Sequence, residues 1–175
     1  MNSTANWLIR FSLIAGLVGG GALVAEPPGP GGAIKVSRTI PFAASARVGP
    51  EVREQCQLQT KVPEFLRQSA GGGVELVDGV LDRSAGRVLE LEITEVHAPG
   101  GGAFSGPKWM TVEGKLYDRG KLSGSFRAKR FTSGGAFGAV KGTCSIIGRC
   151  TKAIGQDIAA WLVSPTENAE LGDAR

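Results

Sequence analysis

Apolar and polar residues alternate along several stretches of this chain, which is the pattern of a β-strand with one buried face. The clearest early example is residues 89–93, where leucine and isoleucine alternate with glutamate. Shorter apolar stretches at residues 34–40 and 74–77 are flanked by glycine- or proline-containing segments, which is typical of strands that end in turns. The pattern predicts three strands within the first hundred residues, the third with one apolar and one acidic face.

A β-hairpin is predicted around Asp118-Arg119-Gly120, because apolar or small residues alternate with polar ones on both sides of this turn. A three-residue turn ending in glycine places every apolar residue on one face, whereas a two-residue turn mixes the faces. Parity therefore selects the three-residue turn. It pairs Met110 with Ala128, Val112 with Phe126, Gly114 with Gly124 and Leu116 with Leu122. We expect a helix to cover this face and to bury Val112 and Phe126, with the facing glycines giving it room.

Two longer segments carry the apolar spacing of amphipathic helices. Residues 50–70 are predicted to be mainly helical, although Pro63 requires either a kink or a helix that begins near Thr60. The second helix covers about residues 143–164 and ends at Pro165. Its apolar positions lie on one side and are Ile147, Ile154, Ile158, Trp161 and Leu162.

The order of these elements is strand, helix, three or four strands, helix, which predicts an α/β sandwich of two layers in the α+β class. We expect a mostly antiparallel sheet of four to five strands with two helices on one face. The single domain then covers residues 34–164. The polar residues 165–175 are expected to form a disordered tail.

Composition is consistent with one globular domain. The chain has 175 residues, a hydrophobic fraction of 42% and charges of both signs that sum to +4, which excludes a disordered chain. The 27 glycines and an aromatic fraction of 6% indicate a small core with many turns. One histidine and three cysteines offer little for a metal site, so no metal and no cofactor is expected.

The first 25 residues have the pattern of an export signal, with a polar start through Arg10 and then a 14-residue uncharged run. This run is shorter than the roughly 20 residues of a membrane-spanning helix. Cleavage is expected after Ala25, with Ala22 as a second site and an uncleaved inner-membrane anchor as the alternative. A Pro/Gly-rich linker, residues 26–33, follows. The sequence therefore predicts a periplasmic or secreted protein.

Export places the three cysteines in an oxidising compartment, where one pair can form a disulfide. Within one helix, Cys144 and Cys150 would be about 9 Å apart along the axis, too far for a bond. Cys56 is then one partner, and Cys144 is preferred as the other because the backbone adjusts most easily at a helix start. Cys150 remains the alternative partner, and three buried thiols remain the alternative to any bond.

Catalytic residues are scarce. His97 is the only histidine, and it precedes the loop Pro99-Gly100-Gly101-Gly102, which is typical of a solvated loop residue. Ser105 and Cys144 are nucleophiles by residue type only, because no known nucleophile motif surrounds either. Glu90, Glu92 and Glu95 suit cross-strand charge pairs. We therefore expect no enzyme, with a hydrolase that uses His97 and the strand carboxylates as the alternative.

The glycine-rich loop from Gly134 to Gly142 precedes the second helix. Its end reads Lys-Gly-Thr, whereas a phosphate-binding loop ends in Gly-Lys-Thr, so this motif is excluded. Anion binding at the following helix start stays open beside a plain connector.

Basic residues cluster on the outward face of the predicted hairpin. This face holds Lys115, Lys121, Arg127 and Lys129, with Trp109 opposite Lys129 and Glu113 among them. An aromatic ring among basic residues resembles a nucleic-acid platform in composition, but export argues against nucleic acid. The predicted partner is another envelope protein or an anionic envelope surface such as lipid headgroups. The oligomeric state is not indicated.

Three segments carry a family resemblance: residues 56–60, residues 120–135 and residues 155–162, which read CQLQT, GKLSGSFRAKRFTSGG and GQDIAAWL. Through them the chain resembles small exported bacterial proteins of unknown function. Its layout over residues 34–164 is similar to the periplasmic α/β domains of envelope assembly factors, such as the curli secretion lipoprotein and the amino-terminal domain of the Tol translocation protein. The resemblance implies an envelope location and an interaction role, and it transfers no site residue.

Overall fold

The structure is a computed structural model, and it describes residues 32–132 and 141–174. These residues form an α+β fold in which one six-stranded sheet packs against helices. The strands are β1 (Ile34–Ser37), β2 (Val74–Val77), β3 (Arg87–His97), β4 (Lys108–Asp118), β5 (Lys121–Thr132) and β6 (Ala169–Gly172). The α-helices are α1 (Pro50–Gln55), α2 (Leu58–Ser69) and α3 (Thr143–Trp161), and a 3₁₀ turn covers Gly102–Ser105.

The sheet is mixed, with strand order β2-β1-β3-β4-β5-β6. β1 pairs in parallel with β2 and β3, and β5 pairs in parallel with β6, whereas β3, β4 and β5 form an antiparallel meander. The prediction of a mostly antiparallel sheet of four to five strands was therefore wrong. Two connections that contain helices, from β1 to β2 and from β5 to β6, return the chain in the same direction and create parallel neighbours.

The end of the chain also differs from its prediction, because residues 169–172 form the edge strand β6 and not a disordered tail. Leu171 packs into the core, and Asp173 accepts hydrogen bonds from the side chain of Arg130 at 3.3 Å and from the backbone N–H of Phe131 at 3.1 Å. Arg130 also donates two hydrogen bonds of 2.7 Å to Asp157 on α3. A four-residue strand is too short to show a clear period in the sequence.

The hairpin has the predicted faces in β4 and, from Gly124 onward, in β5, but it does not have the predicted register. Asp118 pairs with Lys121 across a two-residue turn, in which Arg119 and Gly120 both have positive φ. Ser123 is then an extra residue in β5, and its hydroxyl donates to the carbonyl of Leu116 at 3.2 Å. This bulge restores the parity that the two-residue turn breaks. The observed pairs are Val112 with Ala128, Gly114 with Phe126 and Leu116 with Gly124.

Each hairpin glycine is covered by an aromatic ring, so the predicted facing pair of glycines does not exist. The ring of Phe126 lies over Gly114, and the ring of Trp161 from α3 lies over Gly124. The two rings meet edge to face at 4.8 Å. Phe126 and Val112 are buried as predicted.

Helix α2 begins at Leu58, not near Thr60, and continues past Pro63 to Ser69. Gln57, just before it, has a left-handed φ of 53°. Proline lacks the N–H that would bond the carbonyl of Gln59. That carbonyl instead accepts the N–H of Ile40 at 3.1 Å, while the Gln59 side chain donates to the Ile40 carbonyl. The proline therefore frees an acceptor that anchors the segment after β1.

The disulfide Cys56–Cys144 is present, as predicted, with a Cα–Cα distance of 4.8 Å. It joins the end of α1 to the first turn of α3. Cys150 is free, and it lies inside the core and not at the edge of the helix stripe. Burial raises the pKa of its thiol to about 11, so the thiol is neutral at ordinary pH.

Helices α2 and α3 touch at Gly155. A methyl group there would lie 2.8 Å from the backbone nitrogen of Leu66, closer than such atoms approach, whereas a methyl group at Gly148 of the same helix meets open space. We expect Gly155→Ala to lower the free energy of unfolding by about 1–3 kcal/mol through overpacking. Gly148→Ala is expected to raise it by up to about 1 kcal/mol through helix propensity. Urea unfolding of the two variants measures both, and losses of equal size would contradict this contact.

Several predictions lie outside the described residues: the export signal, most of the linker, and residues 134–140 of the loop from Gly134 to Gly142. Within residues 32–132 and 141–174, no helix is long and apolar enough to cross a membrane.

Candidate functional site

One face of the sheet is covered by helices, and the opposite face, called the open face here, carries charged side chains. The segment 78–86 crosses this open face. The chain has to return along the sheet because β2 and β3 both run parallel to β1. The return lies on the face opposite the helices of the β1-to-β2 connection, because it moves across the sheet in the other direction and such crossovers are right-handed. Arg83 fastens the segment through two hydrogen bonds to Glu90, at 2.6 and 2.7 Å, and its guanidinium lies 4.5 Å from the ring centre of Tyr117.

A groove of about 850 Å³ lies on the open face. One wall is the crossing segment at Gly79 to Leu81, with Val80 fully exposed at its tip, and the other is β6 with Asn168. The floor comes from the middle of β3, β4 and β5. Four glutamates and two basic residues line it: Glu90, Glu92, Glu113, Glu170, Lys115 and Arg127.

The predicted basic face is thus a face of mixed charge. Lys115, Arg127 and Lys129 lie on it with Trp109, but Lys121 does not. The bulge at Ser123 reverses the parity of the strand end, so that Lys121 pairs with Asp118 while Leu122 pairs with Tyr117 on the open face. β3 and β6 add glutamates that no alternation within the hairpin could indicate.

Cross-strand ion pairs explain part of this charge, as expected for the strand carboxylates. Arg127 lies 3.8 Å from Glu113, and Lys129 lies 3.6 Å from Glu95. Glu92 pairs in register with Glu113, which sets two like charges directly opposite each other. In the part of the chain that the structure describes, the side chains of Glu92 and Lys115 have no ion pair or hydrogen bond.

Glu95 and His97 lie near each other on the open face of β3 but outside the groove. The His97 ring stacks on Trp109 at 3.7 Å, and Glu95 accepts a hydrogen bond of 3.0 Å from Thr111. The pKa of Glu95 is lowered overall. Burial acts to raise it, but this is outweighed by the nearby Trp109 indole, the hydrogen bond from Thr111 and the charge of Lys129. The indole N–H lies close to Glu95 without full hydrogen-bond geometry. Glu95 thus contacts the Thr111 hydroxyl and Lys129, and His97 contacts the Trp109 ring; nothing here supports the hydrolase alternative.

The two nucleophiles considered from residue type have structural partners. Cys144 is in the disulfide. The Ser105 hydroxyl donates to the carbonyl of Pro99 at 3.0 Å and accepts a hydrogen bond of 2.9 Å from the buried Lys108 ammonium. Burial lowers the pKa of Lys108. These contacts fasten the 3₁₀ turn to the start of β4.

Across residues 32–132 and 141–174, no cluster of three or more histidine, cysteine, aspartate or glutamate side chains could hold a metal ion. The groove carboxylates are spread along a row, not gathered around one point.

Solved structures of other proteins are similar to this chain. One is the crystal structure of an uncharacterized protein, 12% identical, with a TM-score of 0.51 over 74% of this chain and 92% of that one. A PelC dodecamer from Paraburkholderia phytofirmans is 14% identical, with a TM-score of 0.45 over 75% of this chain and 92% of that one. A variant PelC dodecamer from the same organism is 15% identical, with a TM-score of 0.35 over 70% and 86%.

No family model and no curated protein matches the sequence. The similarity to the first of the three structures shows the fold alone, because identity at this level does not carry function. We therefore infer the function from the groove on the open face.

Proposed function

We propose that this protein is a non-enzymatic interaction module of the bacterial envelope, and that the open face is its contact surface. The observation that carries the proposal is the groove, which lies across five strands. Its floor holds Glu92 and Lys115, which have no ion pair with any residue that the structure describes. A ligand can bind exposed charges of this kind without first breaking an ion pair within the protein.

A protein partner fits this surface better than an anionic membrane surface. Lys121 does not lie on the open face, and four glutamates outnumber the two basic residues in the groove. An anionic lipid headgroup would meet net repulsion there. The mixed charge instead suits a partner that carries both signs, which is the usual polar rim of a protein interface.

The location is part of the proposal. It is supported by the short uncharged run before Ala25 and by the resemblance to exported envelope proteins. We propose export, cleavage after Ala25 and action in the periplasm or outside the cell.

Site-specific photo-crosslinking in intact cells tests this function. A photoreactive residue at Lys115, in the groove, is expected to yield a specific crosslink to an envelope protein, and the recovered chain is expected to begin at Glu26. The same residue at Gln156, on the exposed side of α3, serves as the control and should yield none. Equal crosslinking from both positions, or a chain that retains Met1 and a cytoplasmic partner, would refute the proposal.

A further inference from the structure

The groove is long enough to hold a short peptide in the extended conformation. It runs across β1, β3, β4, β5 and β6, which are four steps of about 4.8 Å, or roughly 19 Å in all. An extended chain advances about 3.3 Å per residue, so about six residues fill the groove. The crossing segment at Gly79 to Leu81 lies at one end of the groove and strand β6 lies at the other.

The two unpaired charges on the floor define a second match. Lys115 lies opposite Glu90 and Glu113 lies opposite Glu92, so Glu92 and Lys115 are diagonal neighbours on adjacent strands. Diagonal side chains in an antiparallel pair are about 7–8 Å apart. In an extended peptide, side chains two residues apart lie on one side and are separated by about 7 Å. Across the strands Glu92 and Lys115 are only one strand spacing apart, so a peptide that runs across the strands between them can reach both charges with side chains of residues i and i+2 that lean to opposite sides along the strands.

We propose that the groove binds an extended segment of a partner protein, about six residues long, in which a basic and an acidic side chain stand two residues apart. The basic side chain pairs with Glu92 and the acidic one with Lys115. This inference rests on the proposed function and specifies the partner's chemistry. A polymer with one kind of charge would leave one of the two groove residues unpaired, and the peptide does not.

The position of Glu92 argues that it serves binding and not folding. Directly opposite glutamates repel each other, and Glu113 already has Arg127 at 3.8 Å, whereas Glu92 has no basic partner within residues 32–132 and 141–174. A basic side chain of the partner placed between Glu92 and Glu113 would relieve this repulsion. Removing the charge of Glu92 should therefore leave stability unchanged or slightly raised while binding falls.

Peptide selection tests the proposal. A display library of random eight-residue peptides is selected against the full protein, and selected peptides are synthesised with a fluorescent label. We expect enrichment of Lys or Arg two positions from Asp or Glu. Glu92→Gln and Lys115→Gln are each expected to weaken binding about tenfold in fluorescence anisotropy, with unchanged or higher urea midpoints. Glu54→Gln on α1 and Lys152→Gln on α3, exposed and away from the groove, are the matched controls.

Charge reversal gives the most specific readout. Glu92→Lys should lose the selected peptides and regain peptides whose basic residue is replaced by glutamate. No enrichment, binding that ignores the two-residue spacing, or equal losses in the control variants would overturn the peptide assignment. A groove-specific crosslink in cells together with a failed selection would overturn the peptide alone and leave the proposed function standing. An oligosaccharide or anionic vesicle that binds the wild type but not Glu92→Gln, without peptide enrichment, would likewise overturn it.

Discussion

Phe126→Ala is expected to lower the free energy of unfolding by about 3–5 kcal/mol, as for other buried aromatic residues. Phe126 is only 4% exposed, and its ring contacts Trp161 of α3 while covering Gly114. The substitution leaves a cavity between the sheet and the closing helix. The neighbouring Arg127→Ala is the control. It removes a half-exposed side chain and a 3.8 Å ion pair, and it should cost less than about 1 kcal/mol. Urea unfolding that gives equal losses would refute the face assignment.

A double-mutant cycle with Gly114 also tests the register. Gly114→Ala in the wild type places a methyl group against the Phe126 ring, so it should be strongly destabilising. In a Phe126→Ala background the ring is absent and the same methyl group helps to fill the cavity. We expect a favourable coupling of about 1–3 kcal/mol. Independent effects of the two changes would indicate that Gly114 does not lie opposite Phe126.

Loss of the disulfide is the second large effect. Cys56→Ser and Cys144→Ser are each expected to destabilise the protein by about 2–5 kcal/mol, because the bond closes a loop with a sequence separation of 88. The double variant should lose little more than either single one. Both sulfurs belong to one bond, so the second substitution removes nothing further apart from local packing.

Cys150→Ala provides the matched control for a buried cysteine without a bond. It removes one sulfur from the core and is expected to cost about 1 kcal/mol. Peptide mapping without reductant should recover the Cys56 and Cys144 peptides linked and Cys150 free. A reductant should lower the stability of the wild type and of Cys150→Ala by the same amount, and should leave Cys56→Ser unchanged. A recovered link to Cys150 would contradict this pairing.

Local patterns in the sequence were sufficient to predict which face of each long strand is buried. The alternation in residues 89–93 and along the hairpin depends only on the two-residue period of a strand, so the burial of Leu91, Val112 and Phe126 followed from it. Helix geometry likewise excluded a bond between Cys144 and Cys150, and Cys56 was correctly identified as one partner. These inferences involve distances within a single element, which the sequence specifies.

The groove could be predicted only in part. Lys115 and Arg127 were recognised from hairpin parity, but the acidic residues beside them come from β3 and β6, whose neighbours are chosen by tertiary pairing. The crossing segment was visible only as turn residues at Asp78 and Gly79. A return segment is required because β1, β2 and β3 run parallel, and the handedness of the crossover places it on the open face. No local pattern encodes these tertiary features.

The sequence by itself therefore determined the class of the fold, the buried faces of the long strands and one cysteine of the disulfide. It also showed that catalytic residue types are few. Tertiary structure decided the mixed strand directions, the edge strand β6 and the hairpin register. The register is the clearest case. Two turns give the same buried face in β5 from Gly124 onward: a three-residue turn, and a two-residue turn with a bulge at Ser123. Parity therefore cannot separate them. The packing of Phe126 over Gly114 and of Trp161 over Gly124 distinguishes them, because each ring fills the space that a glycine leaves on the covered face of the sheet.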